Sequence, residues 1–186
     1  MLATADIISA VAESLSGCDI PLVLDPVMVA TSGDRLLAED AINTLVTKLI
    51  PRATILTPNL LEAAALLNKS VAISIDEMQQ QAELLLAMGA QAVLIKGGHS
   101  TGEYATDLLL TQSGVELFSA ARIATNNTHG TGCTLASAIA AGLAKKLPLR
   151  DAVAQAKDYL HNALLHSNEL KIGQGSGPVH HFYKFY

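Results

Sequence analysis

Residues 53–67 read Ala-Thr-Ile-Leu-Thr-Pro-Asn-Leu-Leu-Glu-Ala-Ala-Ala-Leu-Leu, and the pattern changes midway. Ala53 to Leu56 is a short apolar run of the kind that forms a buried strand. Thr57-Pro58-Asn59 then turns into a helix through Leu67, with Pro58 suited to a helix's first turn. Working outward, the alternation repeats. Upstream, Ile7, Ile8, Val11 and Leu15 fall at helical spacing within Ala3 to Leu15; Thr4 can cap that helix and Gly17 ends it. Pro21 to Asp25 is an apolar strand stopped by Pro26, and Ser32-Gly33-Asp34 is a turn. Glu39 to Leu49 is an amphipathic helix with Ile42, Leu45, Val46 and Leu49 on one face. Downstream, Ser74 and Glu77 form a capping-box signal for a helix from Asp76 to Met88, with Gly89 as its stop. Ala92 to Lys96 is a third strand, ended by Gly97-Gly98. Thr106–Thr111 and Val115–Ser119 read as an antiparallel hairpin through Gln112-Ser113-Gly114. The loop from Thr125 to Gly132 opens into an Ala-rich helix, Thr131 to Lys145, and Pro148 separates it from a last helix over Leu149 to His166. Helix and strand alternating at this spacing predict an α/β fold: three layers, α/β/α, around a mainly parallel central sheet, in one domain over residues 1–186. The chain opens on a helix with no strand ahead of it.

Of the 186 residues, 50% are apolar and only 16% are charged, against roughly 25% in an average soluble domain, which excludes a disordered chain. Aromatics are 4% with no Trp, so the core is built from Leu, Ile, Val and Ala. That suits parallel sheets covered by helices better than an all-β sandwich. Twelve Lys and Arg against 17 Asp and Glu give a net charge of −5 without any basic stripe, so no nucleic-acid partner is expected. The two cysteines, Cys18 and Cys133, give no disulfide framework and point to a reducing cytoplasm. The N-terminus has no basic stretch and carries Asp6 and Glu13, unlike a signal peptide, and the apolar run Leu135 to Ala144 is too short for a bilayer, so no membrane is expected.

In open parallel sheets, ligands bind beyond the carboxyl ends of the strands. That rule selects three loops: Asp25-Pro26-Val27-Met28, Thr57-Pro58-Asn59 with Glu62 one turn on, and Lys96-Gly97-Gly98-His99. A fourth segment, Thr128-His129-Gly130-Thr131-Gly132-Cys133-Thr134, sets two glycines immediately before a helix. Glycine lets successive N–H groups point at one place, and the helix start adds unpaired donors and a positive dipole end. Gly130, Thr131 and Gly132 thus suit an anion, most simply a phosphate, and Cys133 sits where the same field favours thiolate. Simpler roles compete: a tight connection at Gly-Thr-Gly, a small core residue at Cys133, turn or helix caps at Asp25 and Asn59, a solvated carboxylate at Glu62, and a snorkelling Lys96. His99, His129, His180 and His181 read as hydrogen-bonding or surface residues, because no spacing supports zinc. Asp25 and Glu62 suit magnesium, which takes one or two carboxylates plus substrate phosphates. Lys96 would neutralise a transferring phosphoryl group, and the amides of Gly130 to Cys133 would hold its developing charge. No Walker A sequence is present. A Cys-nucleophile transferase that uses these amides as an oxyanion site is a separate reading, which predicts a covalent thioester and no need for ATP.

The segments DPVMVATSGDRLL (25–37), TPNLLEAAALL (57–67), VLIKGGH (93–99), THGTGCTLASAIAA (128–141) and GPVHHFY (177–183) resemble the hydroxymethylpyrimidine/phosphomethylpyrimidine kinases of thiamine biosynthesis, in the ribokinase-like superfamily. THGTGCT with KGGH is specific to that group, whereas TPNxxE marks only the wider superfamily. The resemblance implies ATP- and magnesium-dependent phosphorylation of hydroxymethylpyrimidine and then of its monophosphate, with a homo-oligomeric assembly. It implies that Cys133 is the catalytic base, that Lys96 contacts phosphates, and that Asp25, Asn59 and Glu62 lie near magnesium and the ATP phosphates. Pyridoxal kinases can carry the same Cys motif and are the alternative. Family members begin with an apolar strand and a Gly-rich segment that has no counterpart here; the chain matches the C-terminal two thirds of the usual domain. The phosphate half of the site is present and the substrate half is largely missing. Losing the first strands of a parallel sheet exposes apolar surface and strand edges, so the chain alone is expected to aggregate, to pair with another chain, or to lack kinase activity. A non-catalytic nucleotide-binding remnant is the corresponding alternative.

Overall fold

A computed structural model describes residues 2–28, 37–98 and 102–185. The turn expected at Ser32-Gly33-Asp34 and the candidate residue His99 lie outside the described residues. The elements follow the expected order: α1 (Ala5–Ser14), β1 (Val23–Leu24), α2 (Glu39–Lys48), β2 (Ile55–Leu56), α3 (Leu60–Leu67), α4 (Ile75–Ala87), β3 (Val93–Ile95), β4 (Tyr104–Thr111), β5 (Gly114–Ala121), α5 (Thr131–Ala144) and α6 (Leu149–Leu165). The sheet order is β1-β2-β3-β4-β5. The first three strands are parallel, with Val23 opposite Ile55 and Leu56 opposite Val93. β4 then runs antiparallel to β3, with Leu94 opposite Leu109. The two-residue connection between β4 and β5 admits only an antiparallel hairpin. The architecture is α/β, as expected, with the parallel core widened by that hairpin.

The chain divides into two compact units: Met1–Thr101 with Thr106–Leu117, and Gly102–Ala105 with Phe118–Tyr186. The first contains β1, β2 and β3 and a core from Ile8 to Leu110 in which Leu45, Leu49, Ile50, Leu56, Leu85 and Ile95 are almost fully buried. α1 is packed through Ile8, Val11 and Ala12, while Ile7, expected on the same stripe, is 45% exposed. Thr4 caps α1 as predicted, accepting from the Ile7 amide. At the other end, Arg52 donates to the carbonyls of Ala12 and Leu15, so a cation stands where the last carbonyls of α1 concentrate negative charge.

Two capping predictions need correction. Ser74 accepts from the Glu77 amide, but Glu77 accepts from Ile73 rather than from the cap residue, so only half a capping box forms. The complete box lies at α3, between Asn59 and Glu62. Pro58 is therefore not in the helix's first turn; it precedes the cap.

In the second unit, α5 packs on α6. A Cβ at Gly142 would lie 2.9 Å from the Ala152 Cβ, which explains the small-residue face of α5 as close helix packing. The tail folds back on this pair: Val179 and His180 are buried, and the His180 amide donates to Ala163 at 2.9 Å. No described helix is long and apolar enough to cross a membrane.

Candidate functional site

The first cluster belongs wholly to the first unit and grows out of the parallel strand ends. β1 delivers Asp25, β2 delivers the fully buried Thr57, and β3 delivers Lys96. The β2–β3 ladder continues beyond the strands: Asn59 and Lys96 form a parallel bridge, and the Lys96 amide donates to the Pro58 carbonyl at 2.8 Å. The Lys96 Nζ then lies 2.6 Å from Asp25 Oδ1 and 3.9 Å from Glu62 Oε2. These side chains are 13%, 13% and 4% exposed, so the contacts are shielded from bulk water. Thr57 Oγ1 donates to Asp25 Oδ1 at 3.1 Å. The strand-end rule thus brought together Asp25, Asn59, Glu62 and Lys96. Lys96 does not snorkel, and Glu62 is not solvated.

Asn59 and Glu62 serve helix α3 as well. Asn59 Oδ1 accepts from the Glu62 amide at 2.8 Å, and Glu62 Oε2 accepts from the Asn59 amide at 2.7 Å. Burial pushes the Glu62 carboxyl above the usual glutamate range; Lys96 and the Asn59 amide oppose that shift, Asp25 adds to it, and the Met28 amide opposes it. Glu62→Gln keeps the helix cap, because an amide oxygen can accept the same bond, and removes the buried charge. The expected result at neutral pH is a melting temperature raised by about 2–4 °C, the shift of ~1 kcal/mol in a chain this long. A carboxyl with a raised folded pKa binds its proton more tightly folded than unfolded, so the wild type gains stability as pH falls through that raised value. Thermal melts from pH 7 downward should show the variant's advantage shrinking.

One supporting residue, Asp107, carried no signal in sequence, and it braces a glycine that the strand-end rule had already selected. Asp107 on β4, 4% exposed, accepts from the Gly97 amide at 2.9 Å. Gly97 leaves no room for any side chain, since a Cβ there would lie 1.9 Å from the Thr106 carbonyl oxygen. Asp107 stands inside an apolar strand pattern, where only its pairing with Gly97 on the neighbouring strand reveals its role.

The second cluster belongs wholly to the second unit. Gly130 adopts φ 82° and ψ 9° in the left-handed region, and α5 begins at the next residue. Thr134 donates from its amide to the Gly130 carbonyl at 2.9 Å. The amides of Gly132 and Cys133, in the first turn, precede the range of intrahelical acceptors. Cys133 is exposed, not a packed core residue. A cavity of about 1020 Å³ opens beside it, lined by Cys133, Ser137, Ala141, Lys145, Tyr159 and His181 among others. His129 is exposed and its amide donates to Gly177 at 3.0 Å. His180 is buried, and His181 Nε2 lies 3.0 Å from Thr134 Oγ1. Both tail histidines therefore make hydrogen bonds or ion contacts, as the sequence reading expected of hydrogen-bonding residues. Among the described residues no group of three His, Cys, Asp or Glu side chains forms a metal cage. A magnesium ion held by one or two carboxylates, with water and phosphate completing its shell, needs none.

Residues 1–180 match the family described as phosphomethylpyrimidine kinase. The chain is 50% identical over 186 residues to a hydroxymethylpyrimidine/phosphomethylpyrimidine kinase of Rhizobium meliloti, covering all of this chain and 70% of that protein. It is 49% identical over 187 residues to the protein of the same name from Escherichia coli, with the same coverage. Among solved structures, a Staphylococcus aureus pyridoxal kinase in complex with ADP superposes with a TM-score of 0.89 at 32% identity, covering all of this chain and 67% of that one. A Clostridium difficile phosphomethylpyrimidine kinase superposes with a TM-score of 0.75 at 35% identity, covering 88% of this chain and 66% of that one.

Proposed function

Because the chain belongs to the phosphomethylpyrimidine kinase family, we propose that it transfers the terminal phosphoryl group of ATP to hydroxymethylpyrimidine and to its monophosphate, in thiamine biosynthesis. One observation carries this reading: an exposed thiol, Cys133, in the first turn of a helix launched from a left-handed glycine. The Cys133 thiolate takes the proton of the substrate's hydroxymethyl group as that oxygen bonds to the γ-phosphorus. The bond from the γ-phosphorus to the bridging oxygen breaks, and ADP carries the electron pair away. In the second phosphorylation a phosphate oxygen is the acceptor. The amides of Gly130, Thr131 and Gly132 hold the charge that develops on the moving group.

In the first unit, Lys96 would meet the nucleotide phosphates with its ammonium. Asp25, Asn59 and Glu62 line the same strand ends, and the two carboxylates fit a hard cation by donor type. We assign magnesium to Asp25 and Glu62, through water. When bound, the ion would neutralise phosphate charge. The cytoplasm is the compartment we propose, in keeping with two free cysteines.

A pyridoxal-type substrate is the second reading, favoured by the fit to pyridoxal kinase. The test is direct: ³¹P NMR of the chain with magnesium, ATP and either hydroxymethylpyrimidine or pyridoxal. The proposal expects ADP and a new phosphomonoester with the pyrimidine. Faster turnover of pyridoxal would establish the second reading. ATP binding without any phosphoester would instead identify a non-catalytic nucleotide-binding protein.

A further inference from the structure

The residues from Gly130 to Cys133 are attached on both flanks to a single distant segment, the tail from Gly177 to His181. On the upstream flank, the His129 amide donates to the Gly177 carbonyl at 3.0 Å, and His129 pairs with Pro178 in an isolated parallel bridge. On the downstream flank, the His181 Nε2 lies 3.0 Å from the Oγ1 of Thr134, the residue after Cys133. Thr134 reaches back to Gly130 at 2.9 Å, and the Thr131 amide reaches Thr128 only at 3.4 Å.

The tail is itself firmly held. Val179 is 1% and His180 5% exposed. The His180 amide donates to Ala163 at 2.9 Å, and the His181 carbonyl accepts from the Tyr159 hydroxyl at 2.9 Å. The Tyr183 ring stacks on His166 at 5.4 Å between centroids. A side chain fixed to α6 at one end can therefore fix α5 at the other. Thr134 is 7% exposed, so its hydroxyl has little water to turn to if the imidazole is removed.

We propose that the C-terminal tail is the clasp that shapes the amide nest, and that His181 and Thr134 are positioning residues for Cys133 and the nest amides. This rests on reading Gly130 to Cys133 as the anion site. Preorganised amides bind charge without rearranging, and an ångström of slack there is felt in the rate.

The test uses the full chain and reads hydrogen exchange by NMR, which does not depend on activity. His181→Ala should speed exchange of the His129 and Thr134 amides by about tenfold, the loss expected when one hydrogen bond of this kind goes. His181→Gln, whose amide can reach the same hydroxyl, should return Thr134 close to the wild-type rate. Thr134→Val, nearly isosteric, should reproduce the His181→Ala effect, and the double variant should add nothing further. Exchange at both amides unchanged across these variants would overturn the proposal. In kinetic assays the alanine variant should lower kcat about tenfold with the ATP KM unmoved. A fall in kcat with unaltered exchange would also overturn it, by giving His181 a direct chemical role. A wild-type chain that transfers no phosphate yet shows the exchange pattern would refute the kinase reading and leave the clasp standing.

Discussion

Cys133→Ser is expected to lower the rate of phosphoryl transfer by about 10²–10⁴ while leaving the ATP KM within about twofold. The reasoning starts from the helix start. Serine keeps the size, the position and the neighbouring amides, so the nest proposed at Gly130 to Gly132 would still hold its anion. The variant removes only the sulfur, and a serine hydroxyl is chemically a far weaker acid than a thiol, so it offers no comparable base for the substrate proton. Steady-state kinetics with ATP and hydroxymethylpyrimidine, alongside equilibrium nucleotide binding, separate the two effects. Rates within a few fold of wild type would assign Cys133 a structural role. A thioester trapped with substrate in the absence of ATP would point instead to nucleophilic catalysis.

Gly97→Ala is expected to be the most damaging single methyl group in the first unit. The added carbon would overlap the Thr106 carbonyl oxygen at 1.9 Å, and that oxygen is backbone, which cannot swing aside. Relief requires the end of β3 to part from β4, which breaks the bond from the Gly97 amide to Asp107 and leaves a carboxylate 4% exposed without that donor. Overpacking of this severity costs about 3 kcal/mol or more, a fall in melting temperature of roughly 6–12 °C for this length. Lys96, the adjacent residue, moves with the strand end, so nucleotide affinity should fall along with stability. A melting temperature within a degree or two of wild type would show that the sheet yields at this point.

The fold was legible where local rules act alone. Thr4, Ser74 and Gly89 marked helix ends through their own backbone requirements, and short apolar runs marked β1, β2 and β3. The convergence of Asp25, Glu62 and Lys96 was legible too, because strand ends in a parallel sheet point one way. What escaped reading depends on pairs far apart in the chain. Asp107 is set by Gly97 from the neighbouring strand, and the Thr134–His181 bond spans 47 positions. Ile7 lay on the predicted stripe yet faces solvent, since spacing fixes a helix's apolar side only to within a residue or so. The capping box appeared one helix earlier than its Ser-x-x-Glu signature suggested, because Asn59 caps as well as serine and Glu77 bonds the residue before the cap.

At rest, Lys96 is already neutralised by Asp25 and shadowed by Glu62. Among the described residues these strand ends set one cation against two carboxylates, the same sign as a bare nucleotide, so under the proposed reading a metal-free nucleotide is expected to bind weakly. Asp25 and Glu62 would hold a divalent ion that arrives with the nucleotide, which would leave the Lys96 ammonium for the phosphates. On the proposed reading of these residues, the resting pairing would favour joint arrival of the polyanion and its metal over either alone.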